Sequence, residues 1–189
     1  MSFTSHKGFT LIELVMVIVL VGILGTVGSA LLAPIVNLYF FTPNQTRIES
    51  IANLINDRII EGDAGAKGLR IIKSISAATD TSITYTDVDL KSVTLSWNSV
   101  TGKFSRTTPA GTEILPKEYP NNDIVVNGQT AGIIFKYYTS AEALISTPVA
   151  APSTIGRVQL NLVATTGTGI ISSYGTKFLI NSGVHIKQF

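Results

Sequence analysis

The chain has 189 residues; 45% are apolar, only 14% are charged, and the formal net charge is +2. A soluble domain is typically about one quarter charged, so this composition, with a mean hydropathy of +0.36, argues against long disorder, and a net charge of +2 without a polybasic run gives no support to general electrostatic capture of DNA or anionic membrane. Cysteine is absent, which removes disulfides, thiolate zinc sites and cysteine nucleophiles and leaves the redox compartment open.

Residues 1–8 carry one cation, Lys7, and no acid. An apolar run follows: residues 14–36 hold no charge, and none occurs between Glu13 and Arg47. At about 1.5 Å per helical residue, some 20 residues cross a hydrocarbon core of about 30 Å, so the run is predicted to span a bilayer once. Lys7 ahead of it favours a cytoplasmic N-terminus with the remainder exported. A secretory signal peptide is the plain alternative, with residues 14–24 as its apolar core and Gly28-Ser29-Ala30 as a small-residue cleavage site. The length of the run and the acid at its entrance argue against it. A carboxylate within a membrane helix costs roughly 2.5–3.5 kcal/mol at the centre and less near the interface, and a mere anchor has no use for Glu13. The helix dipole offers partial relief; full compensation calls for a cation. A cut just before Phe9 would create an α-amine one helical turn from Glu13, able to pair with that carboxylate or with a neighbouring copy's.

The residues Lys7-Gly8-Phe9-Thr10-Leu11-Ile12-Glu13-Leu14-Val15-Met16-Val17-Ile18 resemble the N-terminal motif of type IV prepilins and type II secretion pseudopilins. The resemblance implies a membrane peptidase that cuts between Gly8 and Phe9 and N-methylates Phe9, with Lys7 as the basic end of the leader. It implies that Glu13 assists docking and sets axial register in a fibre. The implied partners are prepilin peptidase, other pilin or pseudopilin subunits, an inner-membrane assembly platform and membrane lipid. The implied localisation is a single pass in the inner membrane with the head outside the cytoplasm, then a pilus or pseudopilus fibre.

Farther along, Gly22, Gly25 and Gly28 have the spacing that lets membrane helices approach closely, although glycine is also simply commoner in such helices. Pro34 and Pro43 are predicted to kink or locally melt the helix. From residue 44 the pattern turns amphipathic: Ile48, Ile51, Ala52, Ile55 and Ile59 form one face, opposite Arg47, Glu49, Asp57, Arg58 and Glu61. Gly62 is the expected stop. Short β-branched runs follow at 71–76, 82–86 and 93–97, with a turn at 98–102 into 103–107. Longer strands are predicted at 132–138, 156–164 and 177–188, the last interrupted at Ser182-Gly183, with a loop at 146–153.

The sum is an α+β fold: a long N-terminal helix, transmembrane in its first half and amphipathic in its second, packed on an antiparallel β-sheet head. By the resemblance this is the pilin fold. The expected segments are a leader at 1–8, a transmembrane or fibre-core helix at 9–36, its amphipathic continuation at 37–62 and a β-rich head at 63–189. The order of elements in the head is similar to W-type minor pilins and J-type minor pseudopilins.

No catalytic constellation stands out, and no enzyme is expected. His6 falls in the leader and His185 in a strand. No cofactor is expected; Asp87 and Asp89 could together hold Ca²⁺, but a solvated loop is the simpler reading. Asp63, Asp80 and Asp123 lie near turns and need no special role. The charged helix face reads as solvated, and Trp97, Tyr137 and Tyr138 as sheet packing. Lys67, Arg70 and Lys73 are too few, beside Glu61 and Asp63, to predict nucleic-acid contact. The leading expectation is a structural minor pilin-like subunit. The alternatives are a type II secretion pseudopilin and, in another class, a membrane-tethered binding module for DNA uptake or adhesion.

Overall fold

The computed structural model describes residues 8–119, 124–129, 132–166 and 177–186. His6, Lys7, Asp123 and the end of the last predicted strand lie outside the described residues. The chain divides into two compact units, Met1–Pro43 and Asn44–Phe189.

Helix α1 is Leu11–Ile60. In the first unit its apolar side chains, Leu11 through Leu32, are exposed all round. A helix apolar on every side needs an apolar medium or other helices around it, and Leu11–Leu32 is long and apolar enough to cross a membrane. Helical structure continues through Pro34 and Pro43, so the predicted melting does not occur. A proline within a helix forfeits about 3 kcal/mol or more, but extending a helix is far easier than nucleating another.

In the second unit the predicted face of α1 is the buried one: Ile48, Ile51, Ala52, Ile55 and Ile59 are all in the core. The helix stops at Gly62, whose φ of +80° is left-handed. Its N–H and that of Glu61 both donate to Asp57 O, at 3.3 and 2.7 Å, as in a helix C-cap. The chain then folds back, and the N–H groups of Leu69 and Arg70 donate to Ile59 O and Ile60 O. Carbonyls that a helix end leaves unpaired are thereby satisfied.

Strands β1 (Ile72–Ala78), β2 (Ser82–Asp87), β3 (Ser92–Asn98), β4 (Lys103–Thr108) and β5 (Gly111–Leu115) form one antiparallel meander in that order. The predicted turn at 98–102 is present: Asn98 Oδ1 accepts from the N–H groups of Val100 and Thr101, and Gly102 N–H donates to Asn98 O. A second sheet holds β6 (Ile124–Gly128), β7 (Phe135–Tyr138), β8 (Leu144–Ile145), β9 (Arg157–Thr166) and β10 (Lys177–His185). The head therefore has two sheets where one was expected. β9 has ten residues, so one edge carries β10 while the other holds β7 and β6 end to end. β5, β6 and β8 were not foreseen. Nor is β10 interrupted: its register runs unbroken from Lys177↔Thr165 to His185↔Arg157. Ser182 keeps the inward phase between Ile180 and Val184, and its hydroxyl donates to Asn56 Oδ1 on α1.

The aromatic residues pack as predicted. Trp97 Nε1–H donates to Val126 O at 2.7 Å, joining β3 to β6. The Tyr137 hydroxyl donates to Thr79 O at 2.8 Å. The Arg157 guanidinium stacks 4.0 Å from the Tyr138 ring centre. The architecture is α+β, consistent with the pilin fold.

Candidate functional site

Gly8, Phe9 and Thr10 precede the helix, and the Phe9 side chain is 81% exposed. Thr10 O accepts the first helical bond, from Leu14 N–H at 3.2 Å. The Thr10 hydroxyl oxygen accepts from Glu13 N–H at 3.3 Å. In return Glu13 Oε2 accepts from Thr10 N–H at 3.1 Å and from the Thr10 hydroxyl at 3.2 Å. This reciprocal pattern is a capping box, in which an N-cap threonine and a glutamate three residues on satisfy each other's backbone donors. The spacing Thr10-Leu11-Ile12-Glu13 is itself the signature of such a box, so Thr10 is legible in the sequence as a functional partner. The expected cation is not the first partner of Glu13. In the uncut chain the carboxylate is already held by two donors from Thr10.

A Cβ added at Gly8 would meet nothing within 4 Å among the described residues, and its φ lies outside the left-handed range. The same open space surrounds Gly22, Gly25 and Gly28. Two hydroxyls inside the apolar stretch are satisfied by their own helix: Thr26 donates to Ile23 O at 2.8 Å and Ser29 to Thr26 O at 2.9 Å. Bonding of this kind removes the penalty of carrying them into hydrocarbon.

In the head, the two candidate Ca²⁺ ligands part company. Asp87 is fully buried, not solvated; its Oδ1 accepts from Lys91 N–H at 2.9 Å and its Oδ2 from Lys67 N–H at 3.3 Å. Asp89 lies exposed in the turn between β2 and β3. The segment bends there, so the two carboxylates do not share one side as an extended chain would give. Among the described residues no group of three or more His, Asp or Glu is placed to hold a metal.

Asp63 also has more to do than sit near a turn. Arg106, 2% exposed on β4, donates from Nη2 to Asp63 Oδ2 at 2.5 Å and from Nε to Glu113 Oε1 at 2.8 Å. Asp63 Oδ1 accepts from Gly65 N–H at 2.7 Å. Burial alone would raise the Asp63 carboxyl; the Arg106 hydrogen bond and the backbone donors outweigh it and hold the carboxyl below its ordinary value. Burial likewise lowers Arg106, but its two carboxylate partners reverse this and raise it. Arg58 pairs with Glu118, and Arg70 with Glu61 at 2.7 Å, so part of the charged helix face is engaged within the head where a solvated face was expected. His185 is exposed at the end of β10. A cleft of about 460 Å³ is lined by Thr79, Asp80, Thr81 and Thr147 among others, and the Thr147 hydroxyl donates to Asp80 Oδ1. Arg106 and Asp63 form a structural junction between the helix end and the first sheet. The chemistry that sets this chain apart lies at residues 8–13.

Residues 4–29 match a family model described as the prokaryotic N-terminal methylation motif. That match supports a type IV pilin-like or pseudopilin-like precursor. No curated protein and no solved structure matches the chain.

Proposed function

We propose that the chain is a minor pilin-like structural subunit. Prepilin peptidase cleaves it between Gly8 and Phe9 and methylates the Phe9 amine; the subunit then assembles into, or primes, a type IV pilus. The observation that carries this reading is the coincidence of the matched segment with an exposed, non-helical Gly8–Phe9 bond leading into a capped helix whose apolar first stretch, Leu11–Leu32, its own chain leaves unburied. Gly8 adds a steric argument. Nothing described in the chain requires glycine there, so the requirement belongs to whatever binds that backbone, and a protease cleft is such a binder. Glu13 then acts twice, first as a partner of Thr10 and later, in a fibre, as a partner for an N-terminal amine. A costly polar group is best justified when it fixes register. A type II secretion pseudopilin would use the same N-terminus, and the sequence resemblance of the head extends to J-type pseudopilins as well as to W-type minor pilins.

The test is the mature N-terminus. Intact mass and N-terminal sequencing are expected to find methylated Phe9; a chain beginning at Met1 or Leu31 would overturn the reading. Glu13→Ala is expected to be cleaved and yet enter fibres poorly, and normal incorporation would remove the register role.

A further inference from the structure

We infer that Thr10 is a positioning residue for the cleavage step: its capping box with Glu13 fixes where α1 begins and so keeps the Gly8–Phe9 bond outside the helix. The inference rests on the proposed processing but adds a residue and a conformational requirement to it.

If α1 ran back one further turn, Ile12 N–H would bond Gly8 O and Glu13 N–H would bond Phe9 O, following the helical i to i−4 rule. The scissile carbonyl would then be tied inside the helix, facing away from an attacking water. In the structure the Glu13 N–H is taken by the Thr10 hydroxyl, and the first carbonyl to enter the ladder is that of Thr10. The Glu13 carboxylate claims Thr10 N–H in turn. Together these bonds stop the helix at Leu11 and leave Gly8 and Phe9 non-helical and exposed. The uncut bond is thus presented in a form a protease can bind without first unwinding a turn, which is affinity gained by preorganisation. Gly8 reinforces the boundary because glycine is a poor helix former.

The cap depends on the hydroxyl at position 10, which takes the residue-13 N–H; an acceptor at position 13 reinforces it, and no charge is needed. Register pairing with an amine needs the charge. The two roles of this segment are therefore separable by substitution.

The experiment measures cleavage of the full-length precursor in membrane vesicles by purified prepilin peptidase, as kcat/KM. Thr10→Val keeps the side-chain shape and removes the hydroxyl; loss of an N-cap shifts a helix-start equilibrium about fivefold, and kcat/KM is expected to fall by about that factor. Thr10→Ser should restore it to within about twofold of the unaltered chain, because serine caps as well as threonine. Glu13→Gln should also stay within about twofold, since glutamine serves at the third position of a capping box. Glu13→Ala should be nearly spared, since the Thr10 hydroxyl still receives the residue-13 N–H. Hydrogen exchange at the Ile12 amide should slow in Thr10→Val, where a helix run back by one turn gives that N–H the Gly8 carbonyl as acceptor, and recover in Thr10→Ser, while Trp97 fluorescence verifies a folded head in every variant. Normal cleavage of Thr10→Val would overturn the inference. So would a Thr10→Ser chain as slow as Thr10→Val, for then the peptidase reads the threonine methyl and not the cap. If the unaltered chain were not cut at Gly8–Phe9, the proposed processing itself would fall, a result distinct from either.

Discussion

Replacing Arg106 with methionine tests whether the junction between the end of α1 and the first sheet depends on one buried cation. The guanidinium is 2% exposed and holds two acids, Asp63 in the loop after α1 and Glu113 on β5. Removing one partner of a buried ion pair typically costs about 3–5 kcal/mol because the remaining charge is stranded. Here the stranded carboxylates are at the edge of the core, with side chains 16% and 26% exposed, and can recruit water. The lower end, about 3 kcal/mol, is therefore expected. A domain of this size loses about 2–4 °C of Tm per kcal/mol, so Tm should fall by about 6–12 °C. Trp97 is the chain's single tryptophan and is buried between the sheets, so its fluorescence follows the head without interference from the membrane helix. The assay is thermal unfolding of the full-length chain in detergent micelles. Arg106→Lys keeps the charge and loses the planar fork, and should fall between the two. A fall below about 2 °C for Arg106→Met would show that hydration of the two acids replaces the pair completely, and the reasoning would fail.

The same junction predicts a pH dependence. Asp63 is held below its ordinary value of 3.8, so the unfolded chain binds more protons than the folded one in this range and stability rises with pH. Its contribution is complete above about pH 5 and is lost as the pH falls through 3.8 and below. Asp63→Asn should flatten that acid limb in melts followed by Trp97 fluorescence; an unchanged limb would assign the acid sensitivity elsewhere. Gly62→Ala should destabilise the head by about 1–3 kcal/mol. Its φ is +80°, and the added Cβ would lie 2.3 Å from Ala66 O, a backbone atom that cannot swing aside. A melt within about 1 °C of the unaltered chain would mean that the loop after α1 rearranges freely.

Periodicity made half of this head legible. The isoleucines of α1 recur at helical spacing and are the buried ones. Strands β2, β3 and β4 alternate around apolar residues, and Asn98 and Gly102 mark the turn. The same alternation held information that was not extracted. Ile83 and Tyr85 point inward on β2, which puts Asp87 inward too; Phe104 does the same for Arg106 on β4. A buried Asp and a buried Arg were therefore readable by phase, against the habit of placing charges outside. Their partners were not. Asp63 is 43 residues from Arg106 in the chain, and its proximity follows from the fold-back after Gly62. β5 was illegible for a related reason: it is a strand because β4 offers it an edge. β6 was legible and missed, since Ile124-Val125-Val126 is a β-branched run closed by Asn127-Gly128.

The glycines divide by where their reason lies. At Gly62, Gly68 and Gly156 an added Cβ would strike the chain's own backbone within 2.5 Å, so the fold of the head explains them. At Gly8, Gly22, Gly25 and Gly28 it would meet open space among the described residues. A glycine inside a helix costs roughly 0.5–1 kcal/mol relative to alanine, and three such costs in one apolar helix secure nothing within this chain. At about 100° per residue, positions 22, 25 and 28 fall within about 120° of the helix circumference. They clear one face, and close approach of a neighbouring helix is what a cleared face permits. Gly8 lies outside the helix and likewise has no steric reason among the described residues. On the proposed reading, the fold that explains Gly62, Gly68 and Gly156 leaves Gly8 to the peptidase and the face of Gly22, Gly25 and Gly28 to helices of neighbouring subunits.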